Sequence, residues 1–353
     1  MTQATRSNLM SVDTTLAANI DATQDYIPVA STTNFSTSVV AEIESTNEVV
    51  SFDSITTNLV TYSEQFNNAA WTNTAMTITA DSTTAPDGTT TADKIVPTTA
   101  ATFHYLSQTP SPSGASTLSI YAKSSGYDWI KLFMGGSSVC SANFNISTGA
   151  LGTTGGSSFS TSTITDVGDG WYRCTMTNNG AYSGTSGVYV TSAESNPPTS
   201  GLSEAGDGTS GGFLWGAQLE VATAATGYLP TTSASLSGLT NVTRGANGTT
   251  AASASSGDDI QQLPYALLNV NMPVRLKGLS VSSDGTGAGR LTLCDKVGTH
   301  LCDVDIPDTK IFDLTFDGGI LFPNGIYIAN SDNITAYTLY TSSYNSPNLT
   351  AGG

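Results

Sequence analysis

A β-rich pattern that opens near the N-terminus breaks off at about residue 58 and resumes at about residue 236. That interruption constrains the architecture more than any other feature. The first part runs TLAANIDATQDYIPVASTTNF and then, from Val39 to Asn58, VVAEIESTNEVVSFDSITTN; the second, Leu236 to Asp258, is LSGLTNVTRGANGTTAASASSGD. With the intervening residues removed, SITTN and LSGLTNVT read as strand, turn and strand, and a tight surface turn is where domain insertion is tolerated. Trp71, Trp129, Trp171 and Trp215, all the tryptophans of the chain, lie between the two parts. The expected layout is a split module (residues 1–57 plus 236–263), an inserted domain (58–235) and a C-terminal domain (264–353).

The fold class read from the residues is all-β. Thr, Val, Ile and Tyr recur in short alternating runs cut by Gly, Asn and Asp, and no stretch carries the helical period. A hydrophobic content of 38% in regularly spaced runs argues against disorder. In the split module, Glu42, Glu44 and Asn47 alternate with Ala41, Ile43 and Val49; TRGANGTT holds a turn, and AASASSGDD reads as a small-residue linker. Seven or more strands are expected in the insert, as a jelly-roll-like β-sandwich. In GWYRCTMT, Trp171, Arg173, Thr175 and Thr177 share one face, with Tyr172, Cys174 and Met176 on the other; in FLWGAQLE, Phe213, Trp215, Ala217 and Leu219 share a face. The C-terminal domain reads as a small β-sandwich of about six strands, PVRLKGLSVSS, GRLTLCDK, HLCDVDI, KIFDLTF, GILFPNGIYIAN and ITAYTLYT, with Asp284–Gly289, DGTGAG, as a hairpin loop. So small a core benefits from association, which makes a homo-oligomer, for instance a trimer, the expected state.

The net charge is −17 and each part of the chain is acidic, which opposes phosphate neutralisation and hence nucleic-acid binding. An anionic membrane would repel the chain, and no run of about 18 apolar residues exists for insertion. The N-terminus MTQATRSNLMSVDTT has no apolar core, so no signal peptide is expected and synthesis and folding in a cytoplasm are. The four cysteines make no disulfide framework, and free, buried thiols are the expected state; Cys140 and Cys174 fall in separate strands, while Cys294 and Cys302 flank the CDKVGTHLC hairpin and can face each other across it.

Several strings carry a resemblance. The split module, with EVVSF followed by LTNVTRGANGT, is similar to a short β-module common in phage virion proteins. The insert resembles the carbohydrate-binding-module-like sandwich found in many phage tail and virion proteins. Its motifs stand in order here as NLVTYSEQFNNAAW (Asn58–Trp71), APDGTTTADK (Ala85–Lys94), DVGDGWYRC (Asp166–Cys174), WGAQLE (Trp215–Glu220) and TGYLPT (Thr226–Thr231). The C-terminal domain is vaguely similar to small proteins of marine phages. The resemblance implies a virion component that contacts other capsid or tail proteins and acts as a capsid decoration or head-fibre protein, or as a tail-fibre adhesin. Heptad and shaft repeats are missing, which favours the compact decoration type.

Little in the sequence points to catalysis. His104 and His300 are the only histidines, and the single G-x-S-x-G string, Gly208 to Gly212, precedes a strand rather than a helix. DGTGAG also precedes a strand, so it lacks the helix N-terminus of a phosphate loop. Asp303, Asp305, Asp308, Asp313 and Asp317 cluster in sequence, but alternation along strands spreads them as solvated edge charges instead of a calcium cage. No carboxylate pair stands out for glycan cleavage, so a polysaccharide-degrading enzyme is the weakest alternative. No catalytic residue, metal or cofactor is assigned. Glycan binding needs an aromatic platform and a few polar groups. Tyr127, Trp129 and Tyr182 beside Gly/Ser-rich loops are the platform candidates, with Asp128 and Asn179 as polar partners; packing in the sandwich core is the competing role for Trp129, as it is for Trp171 and Trp215.

Overall fold

The computed structural model describes residues 13–33, 35, 39–43, 45–46, 48–135, 140–180, 185–191, 203–246, 250–262, 274–283, 288–294, 300–307, 311–322, 326–332 and 334–343. Among these the chain is all-β: a small β-module interrupted by a jelly-roll-like sandwich and followed by a small C-terminal sandwich.

Both sheets of the split module draw strands from either side of the insert. A four-stranded antiparallel sheet orders Asp13–Thr15, Asp259–Gln262, Val39–Ile43 and Glu48–Phe52; a three-stranded sheet orders Tyr26–Val29, Leu236–Thr240 and Ser54–Asn58. Pairing between Ser54–Asn58 and Leu236–Thr240 runs unbroken from Ser54 opposite Thr240 to Asn58 opposite Leu236. Their shared core joins Ile27, Ile43, Val50 and Phe52 to Leu239 and Ile260. The segment AASASSGDD is no linker. Ala254 is buried and bridges to Ile20, the Ala252 amide donates to Glu48, and Asp259 opens a strand. Small side chains serve there because the backbone itself packs against the module.

Among the described residues the insert folds as two six-stranded antiparallel sheets and a short ribbon pairing Thr102–Phe103 with Ser203–Glu204. One orders Ala150–Gly155, Cys140–Asn145, Trp129–Met134, Ser186–Thr191, Tyr105–Gln108 and Thr72–Thr74; the other orders Phe159–Gly168, Trp171–Asn178, Ser116–Ser125, Gly211–Glu220, Ala92–Pro97 and Met76–Thr83. Alternation fills the space between them with Ile130, Leu132, Met134, Phe144 and Val188 from the first sheet and Ile95, Leu118, Ile120, Cys174, Met176 and Leu219 from the second. Trp171 lies on the outer face, in a smaller cluster with Trp215 that Tyr121, Phe213 and Tyr228 border.

The expected single face for Phe213, Trp215, Ala217 and Leu219 does not hold. Ser119 pairs with Gln218 while Tyr121 pairs with Trp215, so Gly216 and Ala217 together oppose one residue, Ile120. This β-bulge sends Trp215 and Phe213 outward and Ala217 and Leu219 inward. Gly216 has φ 61°, and a Cβ there would sit 2.9 Å from the Tyr121 ring, so glycine is what the bulge accepts.

The C-terminal sandwich contains two three-stranded sheets, Ile311–Phe322, Val274–Ser283 and Ile334–Ser343, and His300–Ile306, Gly289–Cys294 and Tyr327–Asp332. IFDLTF and GILF merge into one long strand, Ile311–Phe322. DGTGAG is not a hairpin loop, because the strands on either side of it lie in different sheets; residues 284–287 themselves are outside the described set. Cys294 and Cys302 do not face each other, since Leu293 stands opposite Cys302 and Cys294 opposite His300; the expected free thiols are found at Cys140, Cys174 and Cys302, the first two buried.

Candidate functional site

The glycan-contact candidates separate along the sandwich. Tyr127 and Asp128 occupy the turn between Ser116–Ser125 and Trp129–Met134, beside Gly211. The Tyr127 hydroxyl accepts the Asp207 amide at 2.9 Å, its ring lies half-buried against the core, and burial raises the phenol above its ordinary pKa. Asp128 is exposed and accepts a 3.3 Å hydrogen bond from Ser124. Asp207 receives the amides of Thr209 and Ser210 at 2.8 and 2.7 Å, and with the Ser210 side chain these hold its carboxyl well below the usual range. Asn179 sits at the other end of the strands. Asn178 pairs with Ser116, whereas Gly211 pairs with Ser125, and nine residue steps of about 3.3 Å put roughly 30 Å between those ends. Tyr182 lies outside the described residues. The structure thus brings Tyr127, Asp128 and Trp129 together and leaves Asn179 apart.

Trp129 is only 8% exposed, so its ring is packed rather than offered as a platform. It starts a strand whose outward-facing positions continue with Lys131 and Phe133, 1% and 2% exposed. Across the sheet the same face carries Asn143 and Ser141, also buried. Burial lowers the Lys131 ammonium to about 8, since desolvation penalises the charged form. Trp129→Ala is expected to lower the unfolding free energy by about 3 kcal/mol through the cavity it leaves; a urea titration showing under about 1 kcal/mol would mean the ring contributes no packing.

Three of the strings that carried the resemblance, Asn58–Trp71, Trp215–Glu220 and Thr226–Thr231, meet at the place where the insert leaves the split module. Asn58, fully buried, donates to the carbonyls of Ala217 and Leu229 at 3.0 and 2.9 Å and accepts the amides of Val60 and Leu219 at 3.1 and 3.2 Å. Gln218 donates to Glu220 and to the Gly227 carbonyl and accepts the Leu229 amide. Glu220 takes the Thr226 amide and hydroxyl and, from the split module, the Thr56 hydroxyl at 2.8 Å. Ser63, Tyr228 and Glu64 form a second chain, at 2.6 and 3.1 Å. Three indole N–H groups are satisfied internally, Trp71 by the Tyr62 carbonyl, Trp171 by the Thr84 carbonyl and Trp215 by Thr91. In this chain the motif residues named here close the sandwich and fasten it.

Sequence reasoning missed the buried ion pair of the split module. Glu48, 0% exposed, meets both Nε and an Nη of Arg244 at 2.8 Å and also accepts the amides of Gly245 and Ala252. Arg244 further donates to the carbonyls of Asp21 and Ala252. Burial would raise the Glu48 carboxyl, but the guanidinium and the two amides outweigh it and hold the group below its ordinary value. The one available signal was the arginine of TRGANGTT, a lone cation in a turn.

Gly208–Gly212 forms an aspartate-anchored turn into a strand, and His104 is buried with its ring 3.4 Å from the Thr98 hydroxyl. The acidic cluster divides between sheets. Asp303 accepts from Thr292, Asp305 pairs with Arg290, Asp313 and Asp317 lie on a strand of the other sheet, and Asp308 is outside the described residues. No described group of three or more His, Cys, Asp or Glu could hold a metal, and no described helix is long and apolar enough to cross a membrane. No protein-family model and no curated protein matches the chain.

Proposed function

We propose that the chain is a non-catalytic surface component of a bacteriophage particle, of capsid-decoration or head-fibre type. In this reading the split module and C-terminal sandwich attach to the particle and the inserted sandwich is displayed. One observation carries it: the insert is joined through two paired strands and a buried polar clasp at one end, while the Tyr127–Asp128–Asp207 turns lie at the opposite end of the sandwich strands Ser116–Ser125 and Gly211–Glu220. A two-strand joint holds a module at a fixed orientation, whereas a single flexible linker lets it wander. The ordered motifs from Asn58 to Thr231 add support, since their resemblance is to display sandwiches of virion proteins.

The deciding experiment is mass spectrometry and antibody labelling of gradient-purified particles from the producing phage. Many copies on the head surface are expected; absence from intact particles overturns the reading, and labelling confined to the tail replaces it with a tail-associated receptor-binding role. Adhesion through the far end is tested on a glycan array, where Tyr127→Ala should weaken any wild-type signal. Release of reducing ends from host polysaccharide would point instead to an enzyme.

A further inference from the structure

We infer that two copies of this chain pair edge to edge and antiparallel through the strand Ile334–Ser343. The two sheets of the C-terminal sandwich have four edges: Ile311–Phe322, Ile334–Ser343, His300–Ile306 and Tyr327–Asp332. An open edge is a row of unpaired amides and carbonyls that invites another strand, and proteins blunt such edges with charges, bulges or short strands.

Three of these edges are blunted. Ile311–Phe322 carries the exposed Asp313 and Asp317, and its Gly318–Gly319 pair, at φ 74° and 75°, breaks the register opposite Lys277. His300–Ile306 carries the exposed Asp303 and Asp305. Tyr327–Asp332 is six residues long and ends in an aspartate. The fourth, ITAYTLYTSS, has ten residues with no charge, proline or glycine, and it is rich in β-branched and aromatic types. Among the described residues it pairs only with Val274–Ser283, in regular register from Ala336 to Tyr340.

Charge selects a second copy as the occupant. A chain of net charge −17 opposes its own approach at every acidic edge, and Ile334–Ser343 is the edge of this sandwich where that repulsion is missing. The core beneath is also small, built around Leu276, Leu279, Val281, Leu291, Leu293 and Phe322, so joining two three-stranded sheets into one of six extends a sandwich that is short of buried surface. Identical strands paired antiparallel are related by a two-fold axis and form a closed dimer. The inference stands independently of any virion role, because it concerns the strand edge alone.

Light scattering on the full chain at micromolar concentration should give twice the 36.3 kDa of one copy. Thr338, at the centre of the regular stretch and opposite Ser280, is the position to charge. Thr338→Lys should raise the dissociation constant at least about tenfold, since about 1.4 kcal/mol is a factor of ten, and Thr338→Val should leave it unchanged. Hydrogen exchange on the wild type provides a reading that needs no variant: amides of 334–343 should gain protection as concentration rises. A monomer mass, a trimer, or a dimer that persists in folded Thr338→Lys would overturn the inference, as would exchange in 334–343 that does not depend on concentration.

Discussion

Replacing Arg244 with alanine is expected to destabilise the split module by about 3–5 kcal/mol, the range for removing one partner of a buried ion pair. Glu48 would keep its two amide donors but lose a bidentate guanidinium in a site closed to solvent. The pair also ties the strand before the insert to the turn after it, 196 residues apart in sequence, so its loss loosens both halves. No tryptophan lies in the split module, so the measurement is hydrogen exchange at Ala41–Ile43 and Ile260, where protection should fall by about two to four orders of magnitude.

The same variant should weaken a pH dependence. In the wild type the folded carboxyl of Glu48 lies below its ordinary value of 4.5, so the unfolded chain binds more protons in that range. Its contribution to stability is therefore complete above about 4.5 and is lost as pH falls through the folded value. Without Arg244 the guanidinium's share of that lowering is gone while burial and the two amides remain, so the folded carboxyl moves upward. The variant's module should then lose less stability than the wild type as pH falls below about 4.5. Parallel pH profiles for the two proteins would show that Glu48 is not governed by Arg244.

Asn58→Ala is the second large effect, expected at roughly 4 kcal/mol or more. One side chain satisfies two buried carbonyls and two buried amides, and each group left unpaired costs about 1–3 kcal/mol. All four tryptophans report on the insert, so the urea midpoint followed by tryptophan fluorescence should drop sharply. Exchange in the C-terminal sandwich should stay unchanged, which separates loss of the clasp from general misfolding. A shift under about 1 kcal/mol would show that water replaces the amide.

Much of the architecture can be read from the chain because it follows from local periodicity. Alternation in GWYRCTMT puts Cys174 and Met176 inward and Trp171 outward, as found, and the break between Asn58 and Leu236 marks two strands that pair in register. The misreadings occur where alternation is interrupted. One bulge at Gly216 reverses the faces of Trp215 and Ala217, and a slip beside Leu293 puts Leu293, not Cys294, opposite Cys302. A period of two carries no information on where an extra residue is inserted.

The candidate site shows the same division. Tyr127, Asp128 and Trp129 are contiguous, so their proximity was assured, whereas the distance to Asn179 depends on which end of Ser116–Ser125 each loop joins. Periodic apolar residues were enough for strand content and the splice point, because those depend on neighbours along the chain. The partners of Glu48, the fourfold use of Asn58 and the burial of Trp129 depend on segments about 160 to 200 residues apart or on neighbouring strands closing over a face. Those contacts come into being only when the sheets assemble, since removal from water is what makes each of them strong.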